Sequence, residues 1–274
     1  MPELPEVETV CAYLRETLPG RTITGAQVYL SRLLKNADGP AFAAAVAGRS
    51  FQDVFRKGKY IFLRLDGPES LLVHLRMTGR LTYEADPAAT LPRFARIVFN
   101  LDAGRLVYGD VRTLGCLWLV PSQGATGISG YDTLGPDAVG PDFTAAYLYD
   151  RLKGKNKPIK TFLLDQTNVA GLGNIYVDEA LFLAGIRPSR RCSRIAKAAA
   201  ARLYEAIRTV MASGLAHGGT TVRNFINGNG QEGQNQQFLN VYGREGQACK
   251  LCGTIIRYEK LGGRGTHYCP HCQK

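Results

Sequence analysis

The sequence predicts an α+β chain, with an antiparallel β-sandwich in its first half and a helical second half that ends in a metal-stapled ribbon. Three observations carry this. Short strand-like runs bounded by turn residues fill positions 60–108, behind one helical pattern at the N-terminus. Apolar residues at helical spacing dominate 142–213. Four cysteines close the sequence in a Cys-x2-Cys-x16-Cys-x2-Cys arrangement. A chain of 274 residues that is 45% hydrophobic and 21% charged can bury two ordinary cores and is not a disordered segment.

The elements follow in order. Val7, Val10, Leu14 and Leu18 share a helix face, and Pro5 with Glu3, Glu6 and Glu8 suits a helix N-terminus. Tyr60–Leu65 reads as a strand ending at Asp66-Gly67-Pro68. Leu71–Arg76 is the next strand, and Arg96–Leu101 turns at Asp102-Ala103-Gly104 into Arg105–Tyr108. Strands this short and this regularly punctuated form sandwiches or barrels. Gly, Pro and Asp concentrate at 130–142, and the linker is placed at 136–146. Beyond it, Asp142 is expected to cap a helix through Leu152. Ile159, Phe162 and Leu163 form a stripe on a second helix. Asn168–Asn174 breaks it, and Ile175–Leu183 resumes. Ser193–Ser213 reads as a long helix with Ile195, Leu203, Ile207 and Val210 inward. Helix, glycine turn, helix is an arrangement that DNA-binding domains use, though helix pairs are common.

The terminal cysteines, Cys249, Cys252, Cys269 and Cys272, have the spacing of a zinc ribbon: two knuckles whose four thiolates meet one tetrahedral Zn2+. Four thiolates close the coordination sphere, so the metal is expected to be structural, with His271 outside the ligand set. Cys11, Cys116 and Cys192 are scattered, and an odd count without an export signal argues against a disulfide framework. The acidic start lacks the basic and apolar regions of a signal peptide, and no apolar run can span a bilayer. No 20–50-residue period indicates a solenoid.

Charge divides unevenly. The chain carries +11, from 34 Lys and Arg against 23 Asp and Glu. Residues 1–140 hold 15 basic and 14 acidic residues, whereas 141–274 hold 19 and 9, so +10 lies in the second half. Such a surplus favours a polyanion: nucleic acid or an anionic membrane surface.

Pro2 is chemically unusual. Removal of Met1 would leave proline as a secondary amine, partly unprotonated near neutral pH, which can attack an electrophilic carbon and form an iminium. Glu3 beside it is placed to move a proton. The alternative is that Pro2 and Pro5 only shape a helix start.

Ordered motifs span nearly the whole chain. They are Pro2-Glu-Leu-Pro-Glu-Val-Glu-Thr9, Arg56-Lys-Gly-Lys59-Tyr60, His74-Leu-Arg-Met77-x-Gly79 and Asp110-x-Arg112-x-x-Gly115, then Leu164–Glu179, Gly218–Arg223, Val241-Tyr-Gly-Arg244 and Gly263–Gln273. Together they resemble the bacterial formamidopyrimidine-DNA glycosylases. The resemblance implies a catalytic β-sandwich domain over 1–135, a helix-two-turn-helix domain over 147–235 and a zinc-finger hairpin over 236–274. It also implies a bifunctional base-excision enzyme. Such an enzyme removes oxidised purines (8-oxoguanine and formamidopyrimidines) from duplex DNA through a Pro2 Schiff base, then cuts the abasic strand by β- and δ-elimination.

The same resemblance supplies roles. Glu3 assists ring opening, Lys59 donates a proton for β-elimination, and Arg264 serves δ-elimination and phosphate binding. Met77, Arg112 and Leu114 fill the hole left by the extruded nucleotide, with Leu114 where the family usually has Phe. Phe94 stands where the family has the first His of a His-x-His pair, so Arg93 or Arg96 is expected to supply the phosphate contact. Lys155 and Asn174 are expected at phosphates, with Lys153, Lys157 and Lys160 adding potential, and Glu6 near the lesion pocket. Thr220–Phe225 would read the flipped base. Gly228–Gly233 fits G-x-G-x-x-G formally but lacks the strand and helix of a dinucleotide site, and reads instead as part of a lesion-covering loop. The implied partner is damaged double-stranded DNA, the implied cofactor one structural Zn2+ with no redox or nucleotide cofactor, the implied state a monomer in the bacterial cytoplasm. Two alternatives stay open: an oxidised-pyrimidine enzyme resembling endonuclease VIII, and a non-catalytic zinc-ribbon DNA-binding protein.

Overall fold

Helix α1 (Leu4–Thr17) starts with Pro5 in its first turn, where a missing N–H costs nothing. Its buried face holds Val7, Val10, Cys11 and Leu14. After β1 (Ile23–Val28) and a short 3-10 turn comes α2 (Gly39–Val46), capped by Asp38, whose carboxylate accepts from Ala41 N at 2.8 Å. Seven strands follow: β2 (Phe51–Lys57), β3 (Tyr60–Leu65), β4 (Glu69–His74), β5 (Gly79–Glu84), β6 (Ala95–Leu101), β7 (Arg105–Asp110) and β8 (Cys116–Pro121). They form two antiparallel sheets, ordered β1-β6-β7-β5 and β2-β3-β4-β8. Ile61, Leu63, Leu71 and Val73 from one sheet share a core with Ile97, Phe99, Leu106 and Tyr108 from the other and with the apolar faces of α1 and α2. On the opposite face of β3, Phe62 stacks on Phe55 at 4.7 Å, and Tyr60 meets His74 edge-on at 4.6 Å. The predicted antiparallel sandwich with its N-terminal helix is the observed one. The single turn α3 (Ser129–Asp132) ends this region.

The structure is a computed structural model and describes residues 1–221, 225–226 and 230–274. It divides into two compact units, Met1–Thr133 with His217–Gln234, and Leu134–Ala216 with Asn235–Lys274. No helix among the described residues is long and apolar enough to cross a membrane.

The second unit contains α4 (Ala145–Leu152), α5 (Ile159–Leu164), α6 (Asn174–Leu183) and α7 (Lys197–Ala216), with α7 packed on α4 and α6. Two helix starts differ from expectation. Thr144, not Asp142, caps α4, its hydroxyl accepting from Tyr147 N at 3.1 Å. Helix α7 begins four residues later than Ser193, because that segment has other partners. Ser193 N donates to the Lys155 carbonyl and Cys192 N to that of Lys157, while Cys192–Arg194 makes a 3-10 turn. Ile195 is buried ahead of the helix, and Met211, rather than the half-buried Val210, faces inward near its end. The chain closes with the hairpin β9 (Arg257–Leu261) and β10 (Arg264–Tyr268). Phe182, Val241, Ile256, Cys249 and Cys269 form its small core.

Candidate catalytic and nucleic-acid-binding surfaces

In the first unit, Pro2 and Glu3 are buried at the head of α1. Pro2 follows Met1, so its nitrogen is a tertiary amide until Met1 is removed. Glu6, 1% exposed, organises this end. Its Oε2 accepts the Glu3 backbone N–H at 2.7 Å, and its Oε1 accepts that of Thr220, also at 2.7 Å. One carboxylate thus ties the Pro2-Glu3 start to the segment expected to read an extruded base. Of that segment, residues 222–224 lie outside the described residues, as do 228–229 of the stretch expected to cover a lesion.

Lys59 occupies the second position of the two-residue β2–β3 turn, where Gly58 takes φ +57°. Its side chain is buried on the unit that carries Pro2, and α1 packs on both strands of this hairpin. Arg56 on β2 pairs with Glu8 of α1 at 2.7 Å. The His74 imidazole is held neutral: burial first, then the charges of Arg76 and Lys59, lower its pKa to about 3. Neutral Nδ1 accepts the Arg76 backbone N–H at 3.0 Å.

Met77, Arg112 and Leu114 come together as exposed residues on neighbouring loops. Met77 and Leu114 are 44% and 46% exposed, more than core residues would be, and an Arg112 guanidinium N–H reaches the Met77 sulfur at 3.1 Å. The loops are strained, since Arg76 and Thr113 both adopt φ +54°, a left-handed conformation unfavourable for side chains of their size. A buried carboxylate clamps them. Asp110 Oδ1 accepts from the Thr78 hydroxyl at 2.5 Å and Arg112 N at 3.1 Å, and Oδ2 accepts from Gly115 N at 2.9 Å. Glycine is obligatory at 115 because a Cβ there would overlap the Tyr108 hydroxyl. The Phe94 loop joins the same point: Asp110 N donates to the Phe94 carbonyl at 3.0 Å, and Arg96 Nε to the Asp110 carbonyl at 3.0 Å. The Arg93 and Arg96 guanidinium groups lie 5.2 and 5.7 Å from the Phe94 ring centroid. Phe94 thus has two cations, Arg93 and Arg96, close to its ring.

In the second unit, the lysines near 155 behave differently from one another. Lys155 is exposed and makes no side-chain hydrogen bond or ion pair among the described residues. Lys153 pairs with Asp150 and Lys157 with Asp165. Lys160 corrects the expectation of added surface potential. It is fully buried, 2.6 Å from Asp178 and 2.7 Å from the Gly265 carbonyl. Asn174 is also partly committed, its amide donating to the Gly265 carbonyl at 2.9 Å. Both contacts hold the hairpin that carries Arg264.

Arg264 is exposed and follows Gly262-Gly263, which take φ +57° and +77° in a two-residue turn between Leu261 and Arg264. These glycines serve the turn itself, and a Cβ on Gly262 would press on Thr161 Oγ1. Gly265 lies against the Tyr258 ring.

The four cysteine Sγ atoms lie within 4.8 Å of one another, with Cys249–Cys272 at 3.9 Å and Cys252–Cys269 at 3.5 Å. A tetrahedral zinc with Zn–S of ~2.3 Å needs sulfurs about 3.8 Å apart, so the set fits. His271 is exposed, as expected of a non-ligand.

Three buried acids went unassigned by the sequence reading. Asp110 clamps the loops above. Asp178 joins Lys160 and the His267 backbone N–H, and Glu179 accepts from the backbone N–H groups of Asn240, Val241 and Tyr242. The available signal was acids inside apolar runs, which are buried only when partnered.

Known proteins resemble this chain along its length. Family models match three segments: "Formamidopyrimidine-DNA glycosylase N-terminal domain" over 1–117, "Formamidopyrimidine-DNA glycosylase H2TH domain" over 134–226 and "Zinc finger found in FPG and IleRS" over 246–274. The Formamidopyrimidine-DNA glycosylase of Pelotomaculum thermopropionicum is 46% identical, covering 100% of this chain and 99% of that protein. A Lactococcus lactis FPG mutant bound to Fapy-dG-containing DNA superposes with TM-score 0.93 at 32% identity, over 100% of both chains. MutM in complex with carbocyclic 8-oxo-G-containing DNA superposes with TM-score 0.92 at 33% identity, again over 100% of both.

Proposed function

Because the chain belongs to the formamidopyrimidine-DNA glycosylase family, and is thus a DNA glycosylase of base-excision repair, we propose that it excises oxidised purines from duplex DNA and then cleaves the abasic strand. The observation that carries this is the Glu6 carboxylate joining the buried Pro2-Glu3 start to Thr220 in one unit. A glycosylase that forms a covalent intermediate needs its amine fixed where the extruded nucleotide is read.

In the proposed chemistry, Met1 is removed and the Pro2 nitrogen attacks C1′ of the extruded nucleotide. The C1′–base bond breaks, and the base leaves with the bonding electrons and a proton. Glu3 supplies a proton to the sugar-ring oxygen as the ring opens, giving an iminium at C1′. Loss of a C2′ proton then expels the 3′ phosphate, with Lys59 as the proton carrier, and a second elimination, served by Arg264, expels the 5′ phosphate. Met77, Arg112 and Leu114 fill the vacated stack. Arg112 donates to the orphaned cytosine, and Leu114 wedges without the ~1–3 kcal/mol of base stacking an aromatic ring adds. The four cysteines hold one zinc that keeps the Arg264 hairpin folded. Lys155, Asn174 and the Arg93–Arg96 loop bind phosphates.

Single-turnover excision from 8-oxoguanine:C and thymine-glycol duplexes tests the substrate class. Faster release of 8-oxoguanine is expected. Preference for thymine glycol would instead place the chain with the pyrimidine enzymes.

A further inference from the structure

We propose that Arg191 and Arg194 form a second phosphate-binding strip beside Lys155, holding duplex backbone beyond the phosphate that Lys155 binds. The inference rests on the reading that Lys155 contacts duplex DNA, and it adds residues that no motif in the sequence singled out.

The segment 190–193 runs antiparallel to 155–159. Ile159 N donates to the Arg190 carbonyl at 2.8 Å, Pro158 bridges Arg191, Cys192 N donates to the Lys157 carbonyl at 3.1 Å, and Ser193 N to the Lys155 carbonyl at 2.8 Å. The Ser193 hydroxyl adds a bond to Asn156 Oδ1 at 3.2 Å, and Cys192 and Ile159, both buried, pin the pair to the unit's interior. Adjacent paired segments lie about 4.8 Å apart. Arg191 and Arg194 are thereby fixed one segment away from Lys155 by a rigid ladder, although they lie 36 and 39 residues from it in the chain.

Charge pairing separates these two arginines from their basic neighbours. Lys153, Lys157 and Lys160 each have a carboxylate partner. Arg187 stacks on Tyr268 and bonds its hydroxyl, and Arg190 donates to the Lys274 main-chain oxygen. Arg191 and Arg194 are exposed and, like Lys155, make no side-chain hydrogen bond or ion pair among the described residues. They line a concavity of about 520 Å³ with Arg187, Ser189, Arg190 and Lys274, and no acidic side chain contributes to it. The main-chain carboxyl of Lys274 is engaged by Arg187 N and the Arg190 guanidinium, which leaves Arg191 and Arg194 available for phosphodiester oxygens, which guanidinium binds in bidentate fashion.

The test is the salt dependence of binding to a duplex carrying a non-cleavable abasic analogue. Each lost phosphate contact lowers the slope of log K against log salt by ~0.9. The double variant R191A/R194A is expected to lower the slope by about 1–2 and to weaken binding severalfold at low salt. Single-turnover base release at saturating enzyme should be unchanged, and R191K/R194K should recover most of the slope. K155A is the reference. If K155A lowers the slope and the double variant does not, the strip is wrong while the Lys155 reading stands. If neither lowers it, both fail. If wild-type protein binds a poly-glutamate peptide through these arginines and the double variant keeps its full slope on duplex, the occupant is an acidic protein segment and the duplex assignment is overturned.

Discussion

Replacing Asp110 by asparagine should loosen the loops that present Met77, Arg112 and Leu114 while leaving both sheets intact. The carboxylate, 1% exposed, accepts from Thr78 Oγ1, Arg112 N and Gly115 N. An amide keeps one acceptor oxygen and turns an N–H2 toward donors at the other position. At least one backbone N–H then loses a charged acceptor worth ~1.5–3 kcal/mol, and the remaining bonds weaken to the ~1 kcal/mol of neutral pairs. The summed cost is about 2–4 kcal/mol. Arg76 and Thr113, both at φ +54°, are also free to relax, and restoring each left-handed residue on binding costs ~1–3 kcal/mol. Affinity for an abasic-analogue duplex with cytosine opposite the lesion should therefore fall about tenfold or more, since 1.4 kcal/mol is a factor of ten. Urea unfolding and equilibrium DNA binding of Asp110→Asn measure the two quantities. A variant within ~0.5 kcal/mol of wild type, the range of ordinary surface substitutions, with unchanged affinity would refute the clamp.

Further expectations concern neighbouring features. His74 is neutral when folded, with a pKa near 3 against 6.5 in the unfolded chain, so its contribution is intact above pH ~6.5 and is lost as pH falls toward ~3. His74→Asn should remove up to ~1.4 kcal/mol per pH unit from the slope of stability across that window, read by urea unfolding at a series of pH values. Lys160→Met leaves Asp178 buried without its cation and should destabilise the second unit by ~3–5 kcal/mol, with Lys160→Met/Asp178→Leu recovering part of this in thermal unfolding. Gly115→Ala forces a Cβ onto the Tyr108 hydroxyl and should cost at least as much as other overpacked sites, ~1–3 kcal/mol. Cys249→Ser, or zinc removal by a chelator, should abolish tight DNA binding and unfold the Arg264 hairpin, whereas hydrogen exchange in the β-sandwich stays at wild-type levels.

Much of this was legible because the signals were local. Strand boundaries at Asp66-Gly67 and Asp102–Gly104, the α1 stripe of Val7, Val10 and Leu14, and the cysteine spacing each depend on residues close in sequence. The helix starts at Thr144 and Lys197 were missed because capping is decided by which of two nearby polar residues the packed helix can reach, and because Cys192 and Ser193 bond to the Lys155–Lys157 segment. Lys160 illustrates the same limit for charge. Sequence shows one lysine among four, and only tertiary packing reveals that its partner is Asp178, 18 residues on. The positions of Met77, Arg112 and Leu114 were readable from motifs, but the carboxylate that holds their loops was not, because a buried acid is recognised by what donates to it. The uneven charge is also sharpened: Lys153, Lys157 and Lys160 are matched by Asp150, Asp165 and Asp178, so the +10 after residue 140 resides on other basic residues, among them Lys155, Arg191 and Arg194, which have no side-chain partner among the described residues.

The central claim is covalent catalysis by the Pro2 nitrogen, and borohydride reduction during turnover on 8-oxoguanine duplex, followed by peptide mapping of the trapped complex, tests it most directly. Attack by Pro2 gives a stable protein–DNA cross-link on the N-terminal peptide, at a Pro2 freed of Met1. A cross-link mapped to a lysine such as Lys59, or base release with no trapped complex at all, would contradict it.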